Sequence, residues 1–298
     1  MQKLLIILQL LFLFCVTSCA KSGIDRDVDE PEVSYYASIY AEIDGIGAYR
    51  GRSAQGFAVF ENVGFCFYDA GYCQSVDLKE KQMMSSFVLP KGVAHPNNHC
   101  GVACFSNEFF APDDKFPLLY LSSYKEFKCY VLRMTETDAE VVQIIQMKDE
   151  AGNVIPVYAF MPDGDEMIMK MNYPAKVDNE YTYEWKVTTR PKIDEMLKTL
   201  LSDNIERSFS VKSSDLYNAG FCRNNIIYQL AGYGGKGSKK MYIIDSHSGT
   251  ILKELVWEED FLYNEEHEQC SPFGNNGILI NYNGADYISY VQLTGWII

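Results

Sequence analysis

From residue 33 onward the chain alternates short apolar runs with polar punctuation. Runs such as "GFAVF", "PLLYLSSY", "KCYVLRM", "EVVQIIQM", "EYTYEWKV", "KKMYIID", "GILINYN" and "YISYVQL" are rich in Tyr, Phe, Val and Ile, and Gly, Asn and Asp separate them. Aromatic and β-branched side chains fit a pleated, half-buried surface, whereas Gly, Asn and Asp accept turn backbone. The pattern predicts an all-β chain. One stretch departs from it. In "RPKIDEMLKTLLSDNIERS", Ile193, Met196, Leu197, Leu200 and Leu201 fall at helical spacing behind Pro191. That spacing predicts one short amphipathic helix inserted between strands.

The strands recur in units of strand, tight turn, strand. The unit appears in "GFAVFENVGFCF", after His95 with a turn at Ser106-Asn107, and again in "AFMPDGDEMIM", "GFCRNNIIYQL" and "SPFGNNGILI". With Asn62, Asn107, Gly164, Asn225 and Asn276 as turn markers, the steps are 45, 57, 61 and 51 residues, the longest holding most of the helical insertion. Roughly 50 residues accommodate four strands of five or six residues with their turns. After Asn276 22 residues remain, and 29 separate Val33 from Asn62, so the two ends together make one period. A ring needs this arrangement when the N-terminal strand, within "VSYYASIYAEI", completes the last sheet. The expected fold is a β-propeller of five four-stranded blades, closed by that strand, with the helix in blade three. Closure leaves no long exposed edges. Six or more blades would require splitting the long third repeat. A pair of β-sandwiches would share the short aromatic strands, but predicts neither the period nor the terminal complement.

The first residues give an address. Lys3 is followed by an apolar run from Leu4 to Cys15. The run is about twelve residues, too short to span a bilayer and suited to the core of a signal peptide. Val16-Thr17-Ser18-Cys19 resembles the lipobox of bacterial lipoproteins. The resemblance implies cleavage before Cys19, acylation of its thiol and new amino group, and a lipid-anchored place at the outer membrane or cell surface. An ordinary secretory signal with a chance cysteine is the alternative. "AKSGIDRDVDEPE" is polar and acidic and reads as a flexible tether. The expected divisions are thus 1–18 signal peptide, 19–32 tether and 33–298 propeller. Within the last, "YIIDSHSGTILKELVW" (242–257) resembles the third and fourth strands of a blade in bacterial propeller lipoproteins of the YncE-like and WD40-like kind. The resemblance is one of grammar. No run of WD dipeptides, kelch glycine pair or Asp-box series accompanies it, so no family activity carries over.

Charge and cysteines narrow the partners. The formal net charge is −14, and a surface of that sign repels phosphate backbones, which excludes nucleic acid. Of nine cysteines, Cys15 leaves with the signal and Cys19 takes lipid. The remaining seven cannot all pair within one chain, and no CxxC or zinc-ribbon spacing is present. They read as small buried hydrophobes. Cys66 and Cys73 flank the turn "YDAG" and would lie opposite each other if Asp69 and Ala70 were its central pair. Free thiols are the preferred reading, a cross-strand disulfide the other.

In a propeller, the linkers leading into the innermost strands share one face with the turns between second and third strands. Here those linkers are residues 45–55, 90–99, 148–156, 212–218 and 258–269. They carry Arg50, His95, His99, Asp215, Tyr217, Tyr263, Glu265 and His267, hence three of the four histidines. Histidine with carboxylate serves acid–base work or metal ligation. Arginine with tyrosine suits acidic sugars, and tyrosine offers pyranose rings an apolar face with a polar tip. "HPNNH" reads equally as a turn, and "NEEHE" as a solvated loop. Cys100, His99, Cys270 and His267 have zinc-ligating chemistry, but from blades two and five, so neither metal nor cofactor is expected. The leading function is a cell-envelope binding module holding a glycan or protein partner at this mouth. A structural subunit of an outer-membrane assembly and a glycoside-hydrolase-like enzyme are the alternatives. The enzyme would need carboxylates at the channel, for which Glu265, Glu266, Glu268 and Asp215 are available. The lipobox generates a direct test. Cys19→Ala is expected to abolish incorporation of a palmitate analogue in labelled cells, and equal labelling of wild type and variant would refute the anchor.

Overall fold

The computed structural model describes residues 34–232, 239–257 and 266–294. The expected signal peptide and tether lie outside them, as do Cys19, Tyr263 and Glu265. Five sheets, antiparallel apart from one added edge strand, form the described part. The leading strand β1 (Ser34–Glu42) does not join the strands that follow it. Blade one contains β2 (Ala48–Tyr49), β3 (Arg52–Phe60), β4 (Val63–Tyr68), β5 (Tyr72–Asp77) and β6 (Gln82–Val88). Blade two contains β7 (Val102–Phe105), β8 (Leu119–Ser123), β9 (Lys128–Met134) and β10 (Ala139–Met147). Blade three begins with β11 (Ala159–Asp163), β12 (Glu166–Lys170) and β13 (Tyr181–Thr189). Next come β14 (Leu197–Leu200), discussed below, and β15 (Arg207–Ser213), which completes blade three. Blade four is β16 (Tyr217–Arg223), β17 (Ile226–Ala231), β18 (Lys240–Asp245) and β19 (Ile251–Val256). Blade five is β20 (Glu266–Phe273), β21 (Gly277–Asn283) and β22 (Tyr287–Thr294), with β1 as its outermost strand.

The first strand of each blade lies innermost. β3, β7, β11, β16 and β20 adjoin one another in that circular order, with β20 returning to β3. The ring is therefore the expected five-bladed propeller, closed by the N-terminal strand. β1 pairs antiparallel with β22 from Ser34↔Thr294 to Glu42↔Tyr287. Beyond the ladder, Ile43 N–H donates to Asp286 O at 2.8 Å and Gly47 N–H to Asp286 Oδ1 at 3.1 Å. Apolar side chains fill the wedges between blades. Phe65, Phe67, Leu119 and Leu121 pack between blades one and two, and Phe57, Tyr68, Leu279 and Ile288 between five and one.

The turn markers sit between first and second strands in every blade. In blade four Asn224 and Asn225 both take positive φ, at 55° and 64°, which asparagine tolerates better than most residues. Their N–H groups donate to the Asp163 carboxylate of blade three at 3.0 and 2.7 Å, pinning one blade's turn to the next. Blade two departs from the expected tight turn. Residues 106–118 form a long connection there. Pro112 and Pro117 lack the N–H that a continuing ladder requires. The loop is held instead by Asp114, which accepts from Ala111 N–H and from the Arg133 guanidinium.

The expected helix does not form. Residues 197–200 are β14, which adds a fifth, parallel strand to the outer edge of blade two. Only three residues, Ser202–Asn204, make a 3₁₀ turn. Ile144 N–H donates to Met196 O at 2.6 Å and Lys148 N–H to Leu200 O at 2.9 Å, groups that would otherwise stand on an open edge. The buried Gln143 amide also donates to Lys192 O at 2.8 Å and Glu195 O at 3.2 Å, fixing the approach to β14. Leu200 is buried, whereas Met196 and Leu197 stay about half exposed at 56% and 52%. A helix this short gains little from its own turns, so pairing an edge outweighs periodicity.

All seven cysteines among the described residues are buried and unpaired. The register explains Cys66 and Cys73. Phe67 pairs with Cys73 and Cys66 with Gln74, one residue off the alignment a bridge needs. Cys66 therefore faces the core between blades five and one, and Cys73 the core between one and two.

Closure by β1 predicts a sharp contrast between two truncations. Deleting residues 34–42 should lower the melting temperature and produce aggregates on size-exclusion chromatography, because β22 becomes an open edge. Deleting residues 20–31 should change neither. Equal melting of the two variants would sink the closure argument.

Candidate functional site

Cavities open at both ends of the ring. One of about 510 Å³ lies among the hairpin turns between first and second strands. The other, of about 670 Å³, lies at the opposite mouth and receives side chains from all five blades. The mouth cavity combines aromatic rings with ionisable groups.

Its shape comes from β-bulges at one level of the ring. Pairing slips between Ala54 and Phe57 in β3, between Tyr217 and Gly220 in β16, and between His267 and Gln269 in β20. A bulge breaks the strict alternation of a strand and re-aims a side chain. Gln55, Asn218 and Glu268 sit at these bulges, and all three line the cavity. The bulged backbone is satisfied from within the ring. Asn218 O accepts from Lys170 Nζ and Gln229 Nε2, each at 3.0 Å, and Gly220 O from Gln269 Nε2 at 2.8 Å. Gly220 is required there, since a Cβ would overlap the Tyr228 carbonyl oxygen.

Aromatic rings form one wall. Tyr124 and Tyr158 lie nearly parallel, with centroids 6.2 Å apart and 18° between planes. Tyr158 and Tyr173 continue the line at 6.2 Å and 31°. His99 stands edge-on to Tyr124 at 4.6 Å, and its Nδ1 meets Asp69 Oδ1 at 2.6 Å. Tyr124 and Tyr158 are half-buried, and Tyr173 is 50% exposed at the rim.

Ionisable side chains complete the lining. Burial pulls the Lys170 ammonium down to about 8, and it lies 5.9 Å from the centre of the Tyr183 ring. Glu268 behaves in the opposite sense. Burial, then the negative charges of Glu266 and Asp69, hold its carboxyl well above the usual range, against a hydrogen bond with Asn283.

No protein-family model matches the chain, and no curated protein matches it. Solved structures do. Glutaminyl cyclase from Myxococcus xanthus is similar with a TM-score of 0.53 and 11% identity, over 89% of this chain and 97% of that one. Raptor from Chaetomium thermophilum gives 0.46 and 12% over 87% of this chain, which spans 29% of the Raptor chain. The Myceliophteria thermophila Cps50 (Swd1) β-propeller domain gives 0.42 and 7%, covering 83% and 85%. At such identity the first of these shows a shared fold and nothing about activity.

Among the residues marked in the sequence, His99, Tyr217, Glu266 and Glu268 border the cavity. Tyr217, however, is fully buried, with its ring stacked on Tyr183 at 4.1 Å and its N–H donating to Tyr183 Oη at 2.7 Å. It is a core ring and offers no rim platform. His267 belongs to β20 rather than to a linker, and strand alternation turns it away from the cavity that Glu266 and Glu268 face. Its Nε2–H donates to Ala231 O at 3.2 Å, and burial pushes its pKa down to about 3, keeping it neutral. His95 lies outside the cavity, where Nε2 donates to Glu126 Oε2 at 2.9 Å and Nδ1 accepts from Asn97 N–H at 3.2 Å. With Asn98 Nδ2 donating to Val93 O at 2.7 Å, "HPNNH" is a hydrogen-bonded turn. Arg50 spreads over the Tyr49 and Tyr72 rings at 5.3 and 5.6 Å, also outside the cavity. Asp215 is tied to Lys240 at 3.0 Å and to Tyr242 Oη. Tyr263 and Glu265 lie outside the described residues. Among those residues, no three His, Cys, Asp or Glu side chains gather in a geometry that holds a metal ion.

Burial of His267 predicts a pH effect. Its folded pKa lies below the ordinary value of about 6.5, so the unfolded chain binds the proton first on acidification. Its contribution is undiminished above about pH 6.5 and declines as pH falls toward the folded value. Between pH 7 and 5 the loss should be about 2 kcal/mol. Urea midpoints of wild type and His267→Gln at both values measure it. The variant should lose less stability by that amount, and parallel losses would refute the assignment.

Proposed function

We propose that this protein is a binding module, held at the cell envelope by lipid on Cys19, whose mouth cavity takes a glycan. The line of rings Tyr124, Tyr158 and Tyr173 carries the reading. A pyranose presents a face of C–H groups that packs on such rings, and equatorial hydroxyls that need polar partners at its edge. Those partners are present at the same cavity in Gln55, Asn218, Asn283 and the carboxylates of blade five. The cavity volume falls within the range of roughly 300–1,000 Å³ usual for small-ligand sites. A concave line of rings also suits a chain of sugars better than the broad surface a folded partner protein needs. Binding requires no catalytic residue, and the tether gives the ring reach from the membrane.

The rings supply the test. Tyr158→Ala and Tyr173→Ala should each weaken glycan capture by on the order of 1–3 kcal/mol if they are the stacking platforms. A glycan array screened with wild type identifies a binder, and calorimetry on that binder compares the variants at matched melting temperature. Undiminished binding by the double variant would place the site elsewhere.

A further inference from the structure

The chain enters the propeller at the end opposite the mouth. β1 starts at Ser34, paired with Thr294, and Tyr36 pairs with Gln292, which on its other side pairs with Gly277. Gly277 directly follows the first turn of blade five, so Ser34 and Tyr36 lie at the level of the hairpin turns. The chain upstream of Ser34, Cys19 included, is thus joined to the turn end. Exposed aromatic side chains show the same bias. Four stand exposed among the described residues, namely Tyr36 at 63%, Phe109 at 43%, Phe110 at 45% and Tyr173 at 50%. Tyr173 belongs to the mouth, and the other three lie at the turn end.

Phe109 and Phe110 occupy the long connection between β7 and β8, which Asp114 and Arg133 hold in place. The Arg133 guanidinium lies 5.3 Å from the centre of the Phe110 ring, and Phe109 stands edge-on to Phe60 at 6.1 Å. Behind them β3, β7 and β20 end on Phe60, Phe105 and Phe273, which line the cavity at this end. Glu61, Asp163 and Arg223 are the charged groups of that cavity, and Asp163 is engaged by the Asn224 and Asn225 N–H groups.

We infer that the turn face docks on the lipid surface that holds Cys19, with Tyr36, Phe109 and Phe110 entering the interface and the mouth turned away from the membrane. Ser34 lies fifteen residues after Cys19, a reach of about 50 Å when extended. A tether of that length lets the ring turn over, so its point of attachment alone does not fix an orientation. It does make docking an intramolecular event, for which a shallow contact suffices. Phenylalanine buries apolar area at the acyl boundary, and tyrosine leaves its hydroxyl at headgroup level. The net charge of −14 provides no general attraction to anionic lipid, so the contact is apolar and persists in high salt. Glycans then reach the mouth from the side facing away from the bilayer.

This inference rests on the proposed acylation of Cys19, and the experiment tells the two apart. The full-length acylated protein is reconstituted in phosphatidylcholine vesicles, with and without phosphatidylcholine brominated along its acyl chains, which quenches indole on contact. Phe109→Trp and Phe110→Trp each add one indole at the turn face, and Tyr173→Trp adds one at the mouth, all at matched melting temperature. The emission added by the first two should be largely lost in brominated vesicles, at low and high salt alike, and that added by the third should be unchanged. Quenching of the mouth indole, alone or together with the others, would overturn the orientation. Unquenched emission from all three, in protein that still incorporates the palmitate analogue, would overturn the docking and leave the anchor standing, with the aromatic face then a surface for a protein partner. Failure of the wild type to incorporate the analogue would remove the anchor and this inference with it.

Discussion

The ladder between β1 and β22 is the constraint on which the rest depends. It joins residues near the two ends of the described chain, and it makes blade five a composite of both. Because of it, β20 lies beside β3, and the five inner strands surround a common axis. An open array of the same blades would place Glu268 of blade five far from Asp69 of blade one. Closed, the ring brings the Asp69 charge close enough to raise the proton affinity of Glu268. The mouth cavity is therefore a property of the closed ring and of no single blade. The same closure removes the two edges that would otherwise invite pairing with another chain.

Within the ring, the inner strands must pack at an axis while their backbone groups still find partners. The bulges resolve this by releasing carbonyls toward neighbouring blades. Lys170 of blade three reaches Asn218 O of blade four, and Asn218 Nδ2 reaches His267 O of blade five at 2.7 Å. Gln269 of blade five reaches back to Gly220 O of blade four. Ser271 Oγ accepts from Val59 N–H of blade one at 2.9 Å. Polar side chains thus stitch blade to blade along the channel, while apolar wedges fill the space farther out. The residues that line the mouth cavity and those that hold the ring together are neighbours on the same strands.

The fold was legible because repetition and turn chemistry are local. Asn62, Gly164, Asn225 and Asn276 mark real hairpins, and the terminal complement follows from counting. Two local readings failed where a distant partner decided the outcome. The helical spacing around Met196 lost to the unpaired edge of β10, and the tight turn at Asn107 gave way to a loop containing Pro112 and Pro117. The site was less legible. Sequence located the right face, with His99, Glu266 and Glu268 on it, but did not separate these from marked side chains that turn away. Tyr217 and His267 sit on that face and turn inward to the core. Tyr124 and Tyr173 escaped notice because they lie in the connections between second and third strands, which share the mouth. Tyr158 falls just past the linker assigned to blade three. The usable signal for Lys170 was a lone positive charge within the apolar run "MIMKM", since a lysine buried there has to reach a polar partner, here in the next blade.

Lys170 and Glu268 show how the ring tolerates charge at its axis. Burial disfavours the charged form of each, which shifts the lysine down and the carboxyl up. An apolar pair of similar volume would avoid that desolvation cost, and replacing buried ionic groups in this way is often neutral or stabilising. Asn218 O would keep its bond from Gln229 without Lys170. Removing Lys170 would therefore leave this carbonyl satisfied while losing one link between blades three and four. Lys170 and Glu268 both line the mouth cavity, where a ligand of the proposed kind would meet them.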